Sequence, residues 1–112
     1  MDPETQKRLC EVYGALYFAA PADVKVGISR DVLAGVKPLH GLRHPPEGDT
    51  SGWYIWAGEY SEDPNFFEPM HVGHLDEVCP AAVKFLGLAP GWRFLVADGH
   101  EDVWFDATLL NT

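Results

Sequence analysis

The stretch PGWRFLVADGHEDVWFD, from Pro90 to Asp106, decides the fold. Trp92, Phe94 and Val96 alternate with Arg93, Leu95 and Ala97, the period-two pattern of a half-buried strand. Asp98-Gly99 suits a tight hairpin turn because both residues tolerate positive φ. A second alternating run sets Glu101, Val103 and Phe105 against Asp102, Trp104 and Asp106. A two-residue turn places Val96 opposite Glu101, Phe94 opposite Val103 and Trp92 opposite Phe105. A four-residue loop would move the pairs but keep the parity. The spacing therefore predicts one apolar face of Trp92, Phe94, Val96, Val103 and Phe105, with Arg93, Asp102, Trp104 and Asp106 turned away. Such a hairpin is not stable alone, so the rest of the chain must supply more strands and a cover.

Working outward, Ser51–Gly58 (SGWYIWAG) is a second strong strand, with Trp53 and Ile55 on one face and Tyr54 and Trp56 on the other. Gly52-Trp53 and Gly91-Trp92 both open strands, and both indoles are expected in the core, so that Trp92→Ala ranks among the most damaging single changes. Val24, Val26 and Ile28 alternate as a short strand, and Ser29 to Gly35 reads as a single helical turn. Val36 to Arg43 is a weaker strand, which Pro38 confines to an edge or to a strand start. Asp2-Pro3-Glu4 is a helix start with Asp2 as cap. Leu9, Val12, Tyr13, Leu16, Tyr17 and Ala20 then recur at three-and-four spacing, one stripe of a helix ending before Pro21. Met70 to Leu86 turns helical again, split by Pro80 and ended at Gly87. His44–Thr50 is a loop by composition, Glu59–Glu68 an acidic, aromatic loop, and Ala107–Thr112 a short tail. The sum is one α+β domain over residues 1–112: an antiparallel sheet of about four or five strands, with helices packed on one face.

Composition bounds the function. The chain has 112 residues, 46% of them hydrophobic, enough for one folded core. No apolar run approaches the roughly 18 residues that span a bilayer. The N-terminus lacks the pattern of a signal peptide, and two cysteines without a CxxC fit reduced thiols, so a cytoplasmic protein is expected. Net charge is −9 and unevenly placed: residues 1–46 carry five acids and six bases, residues 47–106 twelve acids against Lys84 and Arg93. A field of that sign repels phosphate backbones and attracts basic partners, so nucleic acid is not the expected ligand.

Three chemistries compete with plainer roles. His71 and His74 have a spacing that could chelate a metal, with a third ligand from Asp76, Glu77, Cys79 or His100, but nothing in the spacing compels it. Cys79 sits near a helix start, where a thiol pKa can fall, without the His/Asn pattern of a cysteine hydrolase. The carboxylates lie in turns and loops, where solvated acids are the rule, and no GxSxG, HExxH or phosphate-cradling loop occurs. No catalytic residue, cofactor or metal ligand is assigned. What remains is recognition. Trp56, Tyr60, Phe66, Phe67 and Trp104 are interleaved with Glu59, Glu62, Asp63, Asp102 and Asp106, a mixture suited to a basic protein partner. Of these, Trp56, Glu59, Tyr60, Asp63, Asp102 and Trp104 form the expected contact face. In the alternative, several of these rings pack as a second small core beneath the Glu59–Glu68 loop.

SGWYIWAGE, DPNFFEPMHVGHLDEVCP and FLGLAPGWRFLVADGHEDVWFDATLL, with VGISRDVLAG and the Arg43…Ser51-Gly52-Trp53 spacing upstream, resemble the immunity-protein-33-like family of bacterial polymorphic toxin systems. The resemblance covers Val24 to Leu110 and leaves the N-terminal helix, residues 1–20, outside it. It implies a small cytoplasmic bacterial protein that binds and neutralises a cognate toxin, and it carries no catalytic residue, cofactor or metal. A basic toxin surface would suit the acidic two-thirds of the chain. A metal-binding protein or enzyme using His71, His74 and Cys79, or a stand-alone peptide-binding domain, are the alternatives. Monomer or weak dimer is expected, since Pro38 discourages pairing through an edge at Val36–Arg43.

Overall fold

In the computed structural model, which describes residues 3–111, the Pro90–Asp106 ribbon folds in the predicted register. Strands β5 (Trp92–Ala97) and β6 (His100–Phe105) pair Trp92 with Phe105, Phe94 with Val103 and Val96 with Glu101 around a two-residue turn. Four further strands complete the sheet: β1 (Lys25–Ser29), β2 (Leu39–Arg43), β3 (Thr50–Ala57) and β4 (Phe67–His71). Their order is β4-β1-β3-β2-β5-β6.

The sheet corrects the sequence expectation twice. It has six strands, and it is mixed, because β1 runs parallel to β3. A parallel return needs a long crossover. The chain provides one through helix α2 (Arg30–Leu33) and β2 before it reaches β3. The additional strand is β4, which lies across the predicted loop and the predicted start of the second helix. Phe67–His71 pairs along its whole length with β1. It tolerates Pro69 because it is an edge strand, where a missing N–H need not break the ladder. Pro38 immediately precedes β2, so it marks a strand start; β2 itself lies inside the sheet, between β3 and β5, and offers no edge for a dimer.

The N-terminal helix α1 (Pro3–Tyr13) stops well short of Pro21. Gly14, with φ +74°, takes the left-handed conformation that ends helices. The buried residues of α1 are Gln6 and Cys10, whereas Val12 and Leu16 of the predicted stripe are exposed. The Asp2 cap lies outside the described residues. The second helical region is three short pieces: a 3-10 turn at Val72–His74, α3 (Leu75–Val78) and α4 (Pro80–Val83). Pro80 opens α4 as its first residue, as the sequence predicts. The chain then turns through Phe85 and Leu86, and Leu88 bridges Tyr17.

Register assigns the two faces. Gly41 lies opposite both Ile55 and Phe94, and Ile28 opposite Ile55, so these share the inner face with Val26, Leu39, Trp53 and Ala57. Cys10, Leu75, Ala82, Phe85 and Leu86 cover them in one apolar cluster. The Phe94 ring lies over Gly41, where a Cβ would overlap it, and stacks on Phe85 at 4.3 Å. Trp53 is 1% exposed and donates Nε1–H to the Leu86 carbonyl at 3.0 Å. Trp92 is only half-buried, against the half-exposed Phe105. Of the two expected core indoles, Trp53 is therefore the central one and Trp92 sits at the border.

Arg43 is the least expected core residue. It is 1% exposed, and its guanidinium donates to five carbonyls: Phe18 at 2.6 Å, Leu88 at 2.8 Å, Ser51 at 2.9 Å, Leu86 at 3.2 Å and Ala19 at 3.3 Å. Among the described residues no carboxylate pairs with it. Burial pushes its pKa down to about 10, which leaves it charged at neutral pH. One side chain thus ties the segment after α1, the turn after α4 and the start of β3.

Candidate protein-binding face

The outer face carries Tyr54 and Trp56 of β3, His40 and Leu42 of β2, Arg93 and Leu95 of β5, and Asp102 and Trp104 of β6. The sequence-predicted contact residues of the strands, Trp56, Asp102 and Trp104, all belong to it. They do not form one cluster. A row runs from Trp56 through His40 and Leu95 to Asp102, and three strand spacings put its ends about 14 Å apart.

At the β6 end, Trp104 is 37% exposed and lies under the Arg93 guanidinium at 5.4 Å. Arg93 pairs with Asp106 at 3.2 Å, and Asp102 is 2.7 Å from His100. At the β3 end the rings pack on one another. Trp56 stacks on His40 at 5.0 Å and meets Tyr60 edge-on at 5.4 Å, while Phe67 touches Tyr54, Tyr60 and Phe66. Trp56 is buried, so it supports Tyr60 from beneath and is not itself contact surface. Tyr60 is 57% exposed. The second small core left open by the sequence is therefore present, with Tyr60 as its exposed lip. Burial and the Arg93 charge lower the pKa of His40.

Two loops rise beside this cluster and enclose a groove of about 460 Å³. Its floor is Leu42 and Tyr54, one wall is Pro45 and Glu47, and the other is Tyr60 and Phe67. A smaller hollow of about 190 Å³ continues from it over Gly27, beside Phe67 and Pro69. Gly27 is needed there, because a Cβ would stand 2.7 Å from the Tyr54 ring. Sequence reasoning passed over Pro45, Glu47 and Leu42. The only trace of the groove was the outward parity of Tyr54 and the aromatic content of the Glu59–Glu68 loop.

Charge across the molecule is unevenly neutralised. Asp49 pairs with Lys25, Glu68 with Arg30, Asp98 with Lys37 and Glu101 with Lys84. Hydrogen bonds from the partner lysines lower the pKa of Asp49, Asp98 and Glu101, and one from Thr108 lowers that of Asp106. Among the described residues, no cation pairs with the carboxylates of Glu47, Glu59, Glu62 or Asp63. Asp63 instead orders its own loop by accepting the Asn65 N–H at 2.8 Å.

The residues of the metal alternative are scattered. The His71 and His74 rings are 5.8 Å apart at the end of β4, Cys79 is buried with its thiol pKa raised by burial, and His100 sits on the far hairpin. Among the described residues no three His, Cys, Asp or Glu side chains gather closely enough to hold a metal ion. Cys10 and Cys79 are free thiols. No helix of the described residues is long and apolar enough to cross a membrane.

The architecture is that of a small α+β domain whose sheet is covered by short helices on one side and bears an aromatic groove, lined also by Glu47, on the other. The family model of the Imm33-like domain matches residues 5–106, and the chain belongs to that family. The match reaches further toward the N-terminus than the residues carrying the resemblance, and takes in α1. No curated protein and no solved structure is significantly similar to the chain.

Proposed function

We propose that this protein is a non-enzymatic immunity protein that acts in the bacterial cytoplasm, neutralising a toxin with a basic surface by stoichiometric occlusion. Membership of the Imm33-like family supports a protein partner. The observation that carries the reading is the outer face itself: exposed Tyr60 and Trp104 lie among carboxylates, several of which have no cation of their own. Exposed aromatics supply anchor burial, and unpaired acids steer a basic partner. Glu59, Tyr60, Asp63, Asp102 and Trp104 are the proposed contacts, with Trp56 as support.

The test is growth of a host expressing the product of the gene beside this one as the candidate toxin. Co-expression of the protein should restore growth, and the purified pair should form a one-to-one complex whose association slows with salt. Charge reversal at Glu59 and Asp63 should lower the association rate first. Unimpaired killing in cells that contain the folded protein would overturn the proposal. The groove also favours a second reading, a stand-alone peptide-binding domain. A peptide complex without any protection from a toxin would select it.

A further inference from the structure

The groove between the two loops differs chemically from the rest of the outer face. Its walls and floor present Tyr54, Tyr60 and Phe67, with Glu47 across from the tyrosine lip. Aromatic faces beside an uncompensated carboxylate attract a cation, the more so as water is excluded. Glu59, Glu62 and Asp63 extend the negative field along the same loop as Tyr60. No lysine or arginine lines the groove; Lys25 lines the adjoining hollow, and Asp49 holds it at 2.9 Å. The histidine of the wall, His44, has Nδ1 3.1 Å from the Leu109 carbonyl. Anionic ligands therefore find no fixed positive partner here.

We infer that this groove is the seat of an arginine side chain from an extended, basic segment of the protein partner, its guanidinium lying among Tyr54, Tyr60 and Phe67 and facing Glu47. A planar guanidinium stacks on rings and bonds a carboxylate through its fork, which an ammonium does not. The hollow over Gly27 continues the groove and provides a bed for the residues that follow. The inference rests on the reading of this face as a partner surface, and it selects the groove over the Asp102–Trp104 ribbon as the anchor.

The experiment is an NMR titration of the isotope-labelled protein at low salt. The probes are the peptide acetyl-Ala-Ala-Arg-Ala-Ala-amide and its analogues with citrulline, which has the same shape without the charge, or lysine. The arginine peptide should shift the amides of Gly27, Tyr54 and Tyr60, and bind at least about tenfold more tightly than the citrulline peptide. The lysine peptide should fall between them. Tyr60→Ala and Glu47→Gln, both at exposed positions, should each weaken the arginine peptide severalfold without altering the fold. Equal binding of arginine and citrulline peptides, or shifts confined to Asp102–Trp104, would overturn the inference. Protection from a toxin that survives both substitutions, with no peptide in the groove, would overturn it while leaving the immunity reading intact.

Discussion

Replacing Arg43 with methionine isolates what a buried guanidinium does without a counter-ion. Apolar replacement of a buried ion pair can be neutral when both charges leave together. Here the acceptors are main-chain carbonyls and cannot leave. The Leu86 carbonyl keeps the Trp53 indole, but those of Phe18, Ala19, Ser51 and Leu88 lose the guanidinium. Charge-assisted bonds net about 1.5–3 kcal/mol each and do not add freely. Each buried carbonyl left unsatisfied costs about 1–3 kcal/mol and the four losses overlap, so about 4 kcal/mol is expected. A domain of this size holds about 5–15 kcal/mol in total. With a urea slope near 2 kcal/mol per molar, the unfolding midpoint should fall by about 2 M. Arg43→Lys keeps the charge but gathers its donors at one point, and should recover less than half of the loss. A midpoint change below about 0.5 M at unchanged slope would refute the argument: the carbonyls would then be satisfied without Arg43.

Trp53→Ala should cost about 3–5 kcal/mol in the same urea assay, and Trp92→Ala distinctly less, because only Trp53 is enclosed; equal losses would contradict the burial order. Glu101 accepts from Lys84 at 2.7 Å and from Tyr13 at 2.8 Å, and the lysine bond leads in holding its pKa below its ordinary 4.5. Its contribution is thus complete above that value and lost as pH falls through the lower folded one. Unfolding midpoints followed into acid should decline less steeply in Glu101→Gln. His40 loses its contribution in the same direction but from a higher pH: its folded pKa is lowered from 6.5, chiefly by burial, so its contribution is complete above 6.5 and is lost as pH falls from there toward the folded value. Trp56 emission should drop as pH falls through that folded value, below 6.5, where the protonated ring forms against the indole, and His40→Gln should abolish the step.

The hairpin was legible to the residue because its information is local. Asp98-Gly99 fixes the turn, and alternation then fixes every pair through Trp92 and Phe105. β3 was legible for the same reason. The parallel pairing of β1 with β3 was not, since nothing in Lys25–Ser29 names a partner that lies beyond α2 and β2. β4 was hidden because Phe67–His71 is short, contains Pro69 and merges with the helical spacing that follows. The length of α1 was misjudged because Val12 and Leu16 mimic a buried stripe, while Gly14 ends the helix before it can form. At the candidate site, parity placed Tyr54, Trp56, Asp102 and Trp104 outward correctly. It could not reveal that the His44–Thr50 loop stands opposite Tyr60 to make a groove, because that depends on how two loops lean over a finished sheet.

The position of β1 also bears on how the protein is made. Its two neighbours, β3 and β4, are both synthesised after it, the first beginning only at Thr50 and the second ending at His71. Val26 and Ile28 therefore leave the ribosome with no strand on either side and must wait for most of the chain before they are covered. A pause in translation between Ser29 and His71 prolongs that wait, so the yield of native protein should depend on the speed at which this middle third is read.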